Sequence, residues 1–340
     1  MGYCYLYPMN ILGIESSCDE TAAAVYSDAG LLSNVIASQA IHRKFGGVVP
    51  ELASRAHQKT IWSVTEQALA EAKLHIYDID AIAVTHGPGL MGALLVGLSF
   101  AKGLSLSHHI PLIGVNHIDA HIYANFIEAK PEYPFIALIV SGGHTRLLLV
   151  RDFMDHVILG DTRDDAAGEA FDKTAKILGI PYPGGPLMDS YSKKGDPKFI
   201  RFPRALLNEG YEFSFSGLKT SVLYHLESIA ADERETYLEN HLADLCASIS
   251  DAITEVLVQK TQKAVQEYGV RSLVLAGGVS ANSMLRDKMH KLAMKLELTL
   301  HIPKPIYCTD NAAMIAISGY FKAQRSQFDT LDLEPFASVS

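Results

Sequence analysis

His117 and His121 stand four residues apart in PLIGVNHIDAHIYA (residues 111–124), directly after a short apolar run that reads as a strand. On a helix that spacing sets both imidazoles on one face, a turn apart. Such a pair is either half of a metal site or two helix histidines with ordinary hydrogen bonds. Asp310, in PKPIYCTDNAAMIAISGY, is the carboxylate chosen as third ligand. It reads as lying at a strand-to-helix junction, where its plainer role is to cap the helix. Two histidines and one carboxylate, with positions left open, suit one divalent ion per subunit, Fe(II) or Zn(II), acting as Lewis acid and template. A zinc peptidase of the HExxH type needs a glutamate right after the first histidine as general base. Here that residue is Ile118, and Asp119 lies at a different angle, so the peptidase reading lacks its base.

Other side chains carry paired readings. Asn282, in GVSANSML, either caps a helix or contacts a ligand. Asp172, in GEAFDK, either pairs with Lys176 at i+4 or accepts the hydroxyls of a ribose, and Asp189 offers the same choice. Cys18 sits in a loop of small polar residues with no base identifiable beside it, which favours an incidental cysteine over a nucleophile.

Two patterns must position these groups. NILGIESSCDETAAAVY (residues 10–26) reads as strand, polar turn and strand, and FIALIVSGGHTRLLLVRD (residues 135–152) repeats it. Each places small residues at a tip where backbone N–H groups can converge on an anion. A helical stretch near 51–73 then leads to the strand AIAVTH, the loop GPGLMG and an apolar helix at 90–106. Later a helical stretch near 241–268 leads to the strand SLVLAG, the loop GVSAN and a helix ending near Leu296. The same order of elements occurs twice, the mark of a duplicated α/β domain with a cleft between copies. Neither a Walker A ending nor GxGxxG follows these strands. The loops therefore point to a nucleotide site of the actin, sugar-kinase and Hsp70 type, with phosphate at a helix N-terminus. The expected fold is α/β, with duplicated actin-like (ASKHA, RNase H-like) domains. The expected boundaries are 9–132 plus about 310–330, then 133–309 with an insertion at about 161–235, after an extension at 1–8. Within the insertion GEAFDKTAKILG reads as a helix and YPGGPLMDS as a turn.

The bulk properties exclude several classes. The 340 residues, 48% hydrophobic and 20% charged, argue against disorder and coiled coil and allow two domains. A net charge of −9 argues against wrapping nucleic acid in a general positive field. Lys193, Lys194, Lys198, Arg201 and Arg204 form a local basic cluster, or simply a solvated loop. The four cysteines are scattered without paired spacing, which fits a reducing, cytoplasmic setting. The apolar stretch at 90–106 contains Lys102 and is short for a membrane span. The opening MGYCYLYP reads as neither signal peptide nor lipidation motif.

ESSCDET, GGVVPELASRAH, THGPGLMGALLVG, NHIDAHIYA, VSGGHT, GEAFDKTAKILG, PYPGGP, FSFSGLKTSV, LAGGVSANSMLR and CTDNAAM occur in this order between Met9 and about residue 325. With them the chain resembles the universal tRNA threonylcarbamoyladenosine transferase family (TsaD), in its bacterial form. The resemblance implies transfer of a threonylcarbamoyl group from threonylcarbamoyl-AMP to N6 of the adenosine 3′ of the anticodon, in tRNAs reading codons that begin with A. It implies His117, His121 and Asp310 as metal ligands, and Ile139, Val140, Ser141, Gly142 and Gly143 as the segment holding the adenylate. Asp172, Gly185 and Asp189 would contact the ribose side and Asn282 the nucleotide. Asp19 and Glu20 are the acidic residues to test for catalysis, with no base assigned. Implied partners are tRNA, a paralogous actin-like protein and a P-loop ATPase. The alternatives weighed are an ATP-dependent small-molecule kinase of the same fold and a non-catalytic actin-like scaffold. The histidine pair with Asp310 speaks against the kinase, which would hold Mg²⁺ on carboxylates and water.

Overall fold

A computed structural model describes residues 8–39 and 47–337; the expected N-terminal extension lies, but for Pro8, outside the described residues. The chain divides into two compact units, 1–130 with 309–340, and 131–308.

In the first unit, β1 (Ile11–Glu15), β2 (Glu20–Ser27) and β3 (Gly30–Ser38) form an antiparallel meander. Helix α1 (Pro50–Ala72), β4 (Ala81–Gly87), α2 (Met91–His108), β5 (Leu112–Asn116) and α3 (His117–Tyr123) follow. Strands β4 and β5 join parallel to β1, so the sheet order is β3-β2-β1-β4-β5. Every residue of β1 is buried, as expected of a central strand covered on both faces. One cover is the last helix, α10 (Ala312–Gln324), which packs on β1, β2 and β4. Its close approach requires Gly13, where a Cβ would stand 2.5 Å from Ala316 N and 2.6 Å from Ala312 O. The opposite face buries Leu12, Ile14, Ile82, Val84 and Leu98 with Ile61 of α1.

In the second unit, β6 (Phe135–Val140), β7 (Thr145–Asp152) and β8 (Asp155–Asp161) form the antiparallel part. Helices α4 (Ala167–Ile177), α5 (Gly184–Ser192), α6 (Ser216–Glu227) and α7 (Arg234–Tyr268) follow, then β9 (Ser272–Ala276), α8 (Ser283–Leu296), β10 (Thr299–His301) and the short α9 (Pro305–Cys308). The order β10-β9-β6-β7-β8 reproduces that of the first sheet, with β9 and β10 parallel to β6. The duplication read from element order is therefore present in strand order and direction.

Three local readings are corrected. Each expected hairpin carries a third strand, β3 and β8, beyond the two read from sequence. YPGGPLMDS is not a turn: residues 184–192 form α5, which packs on α4 and α7 and buries Met188 completely, so packing overrides a turn-like composition. Asp310 does not follow a strand and does not cap the helix. It follows α9, and Asn311 caps α10 by accepting from Met314 N at 3.1 Å.

Inside the insertion, Asp164 pins the FSFSG loop by accepting from Ser214 Oγ (2.5 Å), Phe215 N (2.8 Å), Ser216 N (3.2 Å) and Ser216 Oγ (2.7 Å). Burial opposes the charge, but these donors outweigh it and hold the carboxyl below its ordinary value of 3.8. A depressed carboxyl adds stability above its unfolded pKa and loses it as pH falls through the folded one. Asp164→Asn is accordingly expected to melt below the wild type at pH 7, with the gap closing as pH falls below the carboxyl's ordinary 3.8, as followed by circular dichroism. A gap independent of pH would remove the carboxylate from the explanation.

Candidate metal centre

Strand β5 runs straight into α3, and Asn116 makes the join by accepting from Ile118 N (2.9 Å) and Asp119 N (3.2 Å). His117 thus opens the helix, and His121 stands one turn on, its ring 4.8 Å from that of His117 and at 84° to it. Asp310 Oδ1 reaches both, at 3.4 Å from His117 Nε2 and 3.2 Å from His121 Nε2. The three ligand atoms lie within 4.8 Å of one another. Atoms bound to a common ion at about 2.0–2.2 Å are themselves roughly 3–3.5 Å apart, so the two contacts to Asp310 have the spacing of a shared coordination sphere.

His121 bears on the choice between the two sequence readings. It is 1% exposed, and neither ring nitrogen has a hydrogen-bond partner among the described residues. An ordinary helix histidine buried to that degree would be hydrogen-bonded. A cation shared by His121 Nε2 and Asp310 Oδ1, which stand 3.2 Å apart, would satisfy both atoms. The residues present therefore fit one metal ion; the chemistry of imidazole and carboxylate suits a transition metal.

Around this cluster stands a shell that the sequence reading missed. Glu15, at the end of β1, is fully buried. It accepts from Ser17 N at 2.5 Å and Thr85 Oγ1 at 2.6 Å, and meets His117 Nδ1 at 3.1 Å. The parallel pairing of β1, β4 and β5 brings the ends of the three strands, hence Glu15, Thr85 and His117, to the same edge of the sheet. A charged residue closing the apolar run ILGI was the available signal, since a buried carboxylate must have partners. Burial disfavours the charged His117 imidazole, but Asp310 and Glu15 outweigh it and hold its pKa well above the ordinary value. Burial likewise acts to raise Glu15 and Asp310, and His117 overrides it, leaving both below the usual carboxylate range.

The first hairpin supplies Asp19 and Glu20. Burial, then repulsion from Asp310 and Asp19, pushes the Glu20 carboxyl up to about 9. His57 of α1 braces this loop, with Nδ1 2.8 Å from Thr21 Oγ1 and Nε2 3.0 Å from Cys18 O. Burial pushes the Cys18 thiol far up, with Asp310 and Asp19 adding to it, so this cysteine is no thiolate nucleophile.

In the second unit, Ile139 and Val140 end β6 fully buried, and a tight turn follows in which Ser141 N donates to His144 O and Ser141 Oγ accepts from His144 N. Gly142 and Gly143 in that turn face open space. Asp172 Oδ1 accepts from Gly184 N (2.8 Å) and Gly185 N (3.2 Å), in place of the i+4 pairing with Lys176. Asp189 Oδ1 accepts from Ser283 N (2.9 Å) and Ser283 Oγ (2.7 Å), and Oδ2 pairs with Lys193 at 3.0 Å. Asn282 caps α8 by accepting from Leu285 N. These side chains thus shape the loops of the second unit. Of the basic cluster, Arg204 turns inward to Asp251 and Glu255, while Lys194, Lys198 and Arg201 remain exposed. No helix among the described residues is long and apolar enough to cross a membrane.

Two sheets of identical strand order, with a His–His–Asp cluster where a strand enters a helix, define an α/β protein of the actin-like class with a candidate metal site. Solved structures of the same fold include HypF from T. kodakarensis, with a TM-score of 0.62 at 16% identity over 96% of this chain and 49% of that one. Component A of (R)-2-hydroxyglutaryl-CoA dehydratase from Acidaminococcus fermentans aligns with a TM-score of 0.55 at 14% identity, over 93% of this chain and 99% of that one. At the level of sequence, the family profile for tRNA N6-adenosine threonylcarbamoyltransferase (TsaD) matches residues 30–317. Proteins of that name from Cytophaga hutchinsonii and Geotalea uraniireducens are 51% and 53% identical to this chain, each over 96% of it and 95% of their own length. The chain belongs to the tRNA N6-adenosine threonylcarbamoyltransferase family, and is a transferase.

Proposed function

We propose that this enzyme transfers the threonylcarbamoyl group of threonylcarbamoyl-AMP to N6 of the adenosine 3′ of the anticodon, in tRNAs reading codons that begin with A. The observation that carries the reading is the His117–His121–Asp310 cluster, with both imidazoles turned to one carboxylate oxygen, in a chain of this family. In the reaction a bond forms from N6 to the carbamoyl carbon and the bond from that carbon to the phosphate oxygen breaks. AMP leaves and N6 gives up a proton.

His117, His121 and Asp310 hold one divalent ion, Fe(II) or Zn(II), which when bound supplies Lewis acidity and a template for a substrate oxygen. The donated group is already activated, so the protein's work is to place the carbamoyl carbon against a weakly nucleophilic amine and to stabilise oxygen charge. The turn at Ile139, Val140, Ser141, Gly142 and Gly143 offers its backbone and open space to the adenylate. Asp172, Gly185 and Asp189 lie toward the ribose and Asn282 toward the nucleotide; the loop bonds of Asp172 use Oδ1 and those of Asn282 its Oδ1, leaving Oδ2 and Nδ2 for a ligand. Asp19 and Glu20 are the titratable groups of the first unit proposed to handle the amine proton. The two units correspond in this reading to the two actin-like domains.

A net charge of −9 requires help in holding tRNA, because phosphate contacts dominate such affinity. Exposed Lys194, Lys198 and Arg201 supply part of it. A paralogous actin-like partner and a P-loop ATPase supply the rest, in the cytoplasm. Trp62 on α1 and Met91, Leu95 and Leu106 on α2 are exposed apolar side chains that the paralogue would cover.

Purified protein with its partners, given synthetic threonylcarbamoyl-AMP and unmodified tRNA, is expected to form threonylcarbamoyladenosine, read by mass spectrometry of the nucleosides. No modified nucleoside, with phosphate passing from ATP to a sugar in the same mixture, would replace this reading by the kinase.

A further inference from the structure

Glu15 presents two oxygens, and the groups that meet them among the described residues can all donate. Ser17 N–H donates to Oε1 at 2.5 Å, and the Thr85 hydroxyl donates to Oε2 at 2.6 Å. His117 Nδ1 lies 3.1 Å from the same Oε2. A carboxylate there accepts only, so the imidazole nitrogen facing it must carry its proton. Ser17 Oγ also lies 3.1 Å from Nδ1, but a hydroxyl suits either tautomer and does not choose between them. With one proton kept on Nδ1, an imidazole that gives up its second proton to an ion does so at Nε2, the nitrogen that faces Asp310 Oδ1.

We propose that Glu15 is a positioning residue of the metal centre, fixing the tautomer and ring orientation of His117 so that Nε2 is the ligand nitrogen. The inference rests on the reading of His117, His121 and Asp310 as a metal set. It adds a demand that only a carboxylate meets at position 15. A glutamine has one acceptor oxygen for three donors. Turned one way, its NH₂ opposes the Ser17 N–H. Turned the other, its NH₂ faces Nδ1 and moves the ring proton to Nε2, where it blocks the ion. Outer partners of ligating histidines typically govern metal affinity by 10–100-fold.

The test uses the full chain, stripped with a chelator and titrated with Zn(II) against a chromophoric competitor. Glu15→Gln is expected to bind Zn(II) about 10–100-fold more weakly than the wild type. Equal affinity would overturn the role of Glu15 and leave the metal set standing. A wild type that does not bind Zn(II) at all overturns the metal reading and this inference with it. Should Glu15→Gln fail to fold, the wild type alone still decides. In ¹⁵N-histidine-labelled, Zn(II)-loaded protein, the His117 signals, assigned by their loss in His117→Asn, are expected to show Nδ1 protonated and Nε2 coordinated. Coordination through Nδ1 overturns the proposal.

Discussion

His117→Ala combined with His121→Ala removes two of three ligands, and the doubly substituted protein is expected to purify without bound iron or zinc and to lose transfer by roughly 10³-fold. That factor corresponds to several kcal/mol of charge stabilisation at the reacting oxygens. The single variants are expected to differ in stability, for a reason visible in the metal-free cluster. His117 is the cation between Glu15 and Asp310, 3.1 Å from one and 3.4 Å from the other. Its loss leaves the fully buried Glu15 carboxylate without its counter-charge, a change that costs about 3–5 kcal/mol. His121 Nε2 also faces Asp310 Oδ1 at 3.2 Å, but it touches no second carboxylate and is the weaker of that group's two histidine partners, so His121→Ala is expected to cost less. Elemental analysis, the nucleoside assay and denaturant unfolding of the stripped proteins read the three effects. Full transfer by the metal-free double variant would defeat the metal assignment, and equal stability of the two single variants would defeat the charge argument.

Gly277→Ala is the second large effect. Gly277 follows β9 with φ 83° and ψ 165°, a conformation open essentially to glycine alone. A Cβ there would stand 2.5 Å from Val140 O and 2.8 Å from Val140 C, backbone atoms at the end of β6 that cannot swing aside. Strain of about 1–3 kcal/mol and overpacking of about 1–3 kcal/mol together give an expected loss of about 2–6 kcal/mol. The relief available is a shift of β6, which carries the proposed adenylate turn at Ser141 with it. The variant is therefore expected to bind threonylcarbamoyl-AMP more weakly as well, by titration calorimetry at a temperature where it remains folded. A loss below about 1 kcal/mol with unchanged binding would show that β6 is not held by this contact.

The histidine pair and the repeated order of elements were legible because each is a local pattern. A spacing of four on a helix and apolar runs broken by small residues need no knowledge of the rest of the chain. The third strands β3 and β8 were not, because GLLSNVIAS and DHVILGD are half-exposed and their apolar runs, LL, VIA and VIL, are too short to mark a strand. Helix α5 was misread for the opposite reason: its Pro and Gly residues are turn formers, yet Met188 gains a fully buried place between α4 and α7. Glu15 and Thr85 escaped notice because they are 70 positions apart and meet only when β1 and β4 pair.

Residue types, their local spacing and the doubled sequence of strands, loops and helices determined the class of fold, the family and a short list of candidate ligands, since these depend on neighbours along the chain. Which nitrogen of His117 faces Asp310, that His121 reaches the same carboxylate, that Asn311 rather than Asp310 caps α10, and that Arg204 points inward were decided by tertiary structure alone. The physical reason is distance. Hydrogen bonds and ion pairs act over about 3–4 Å between atoms that the chain separates by up to hundreds of residues, and only the packed strands and helices bring them together.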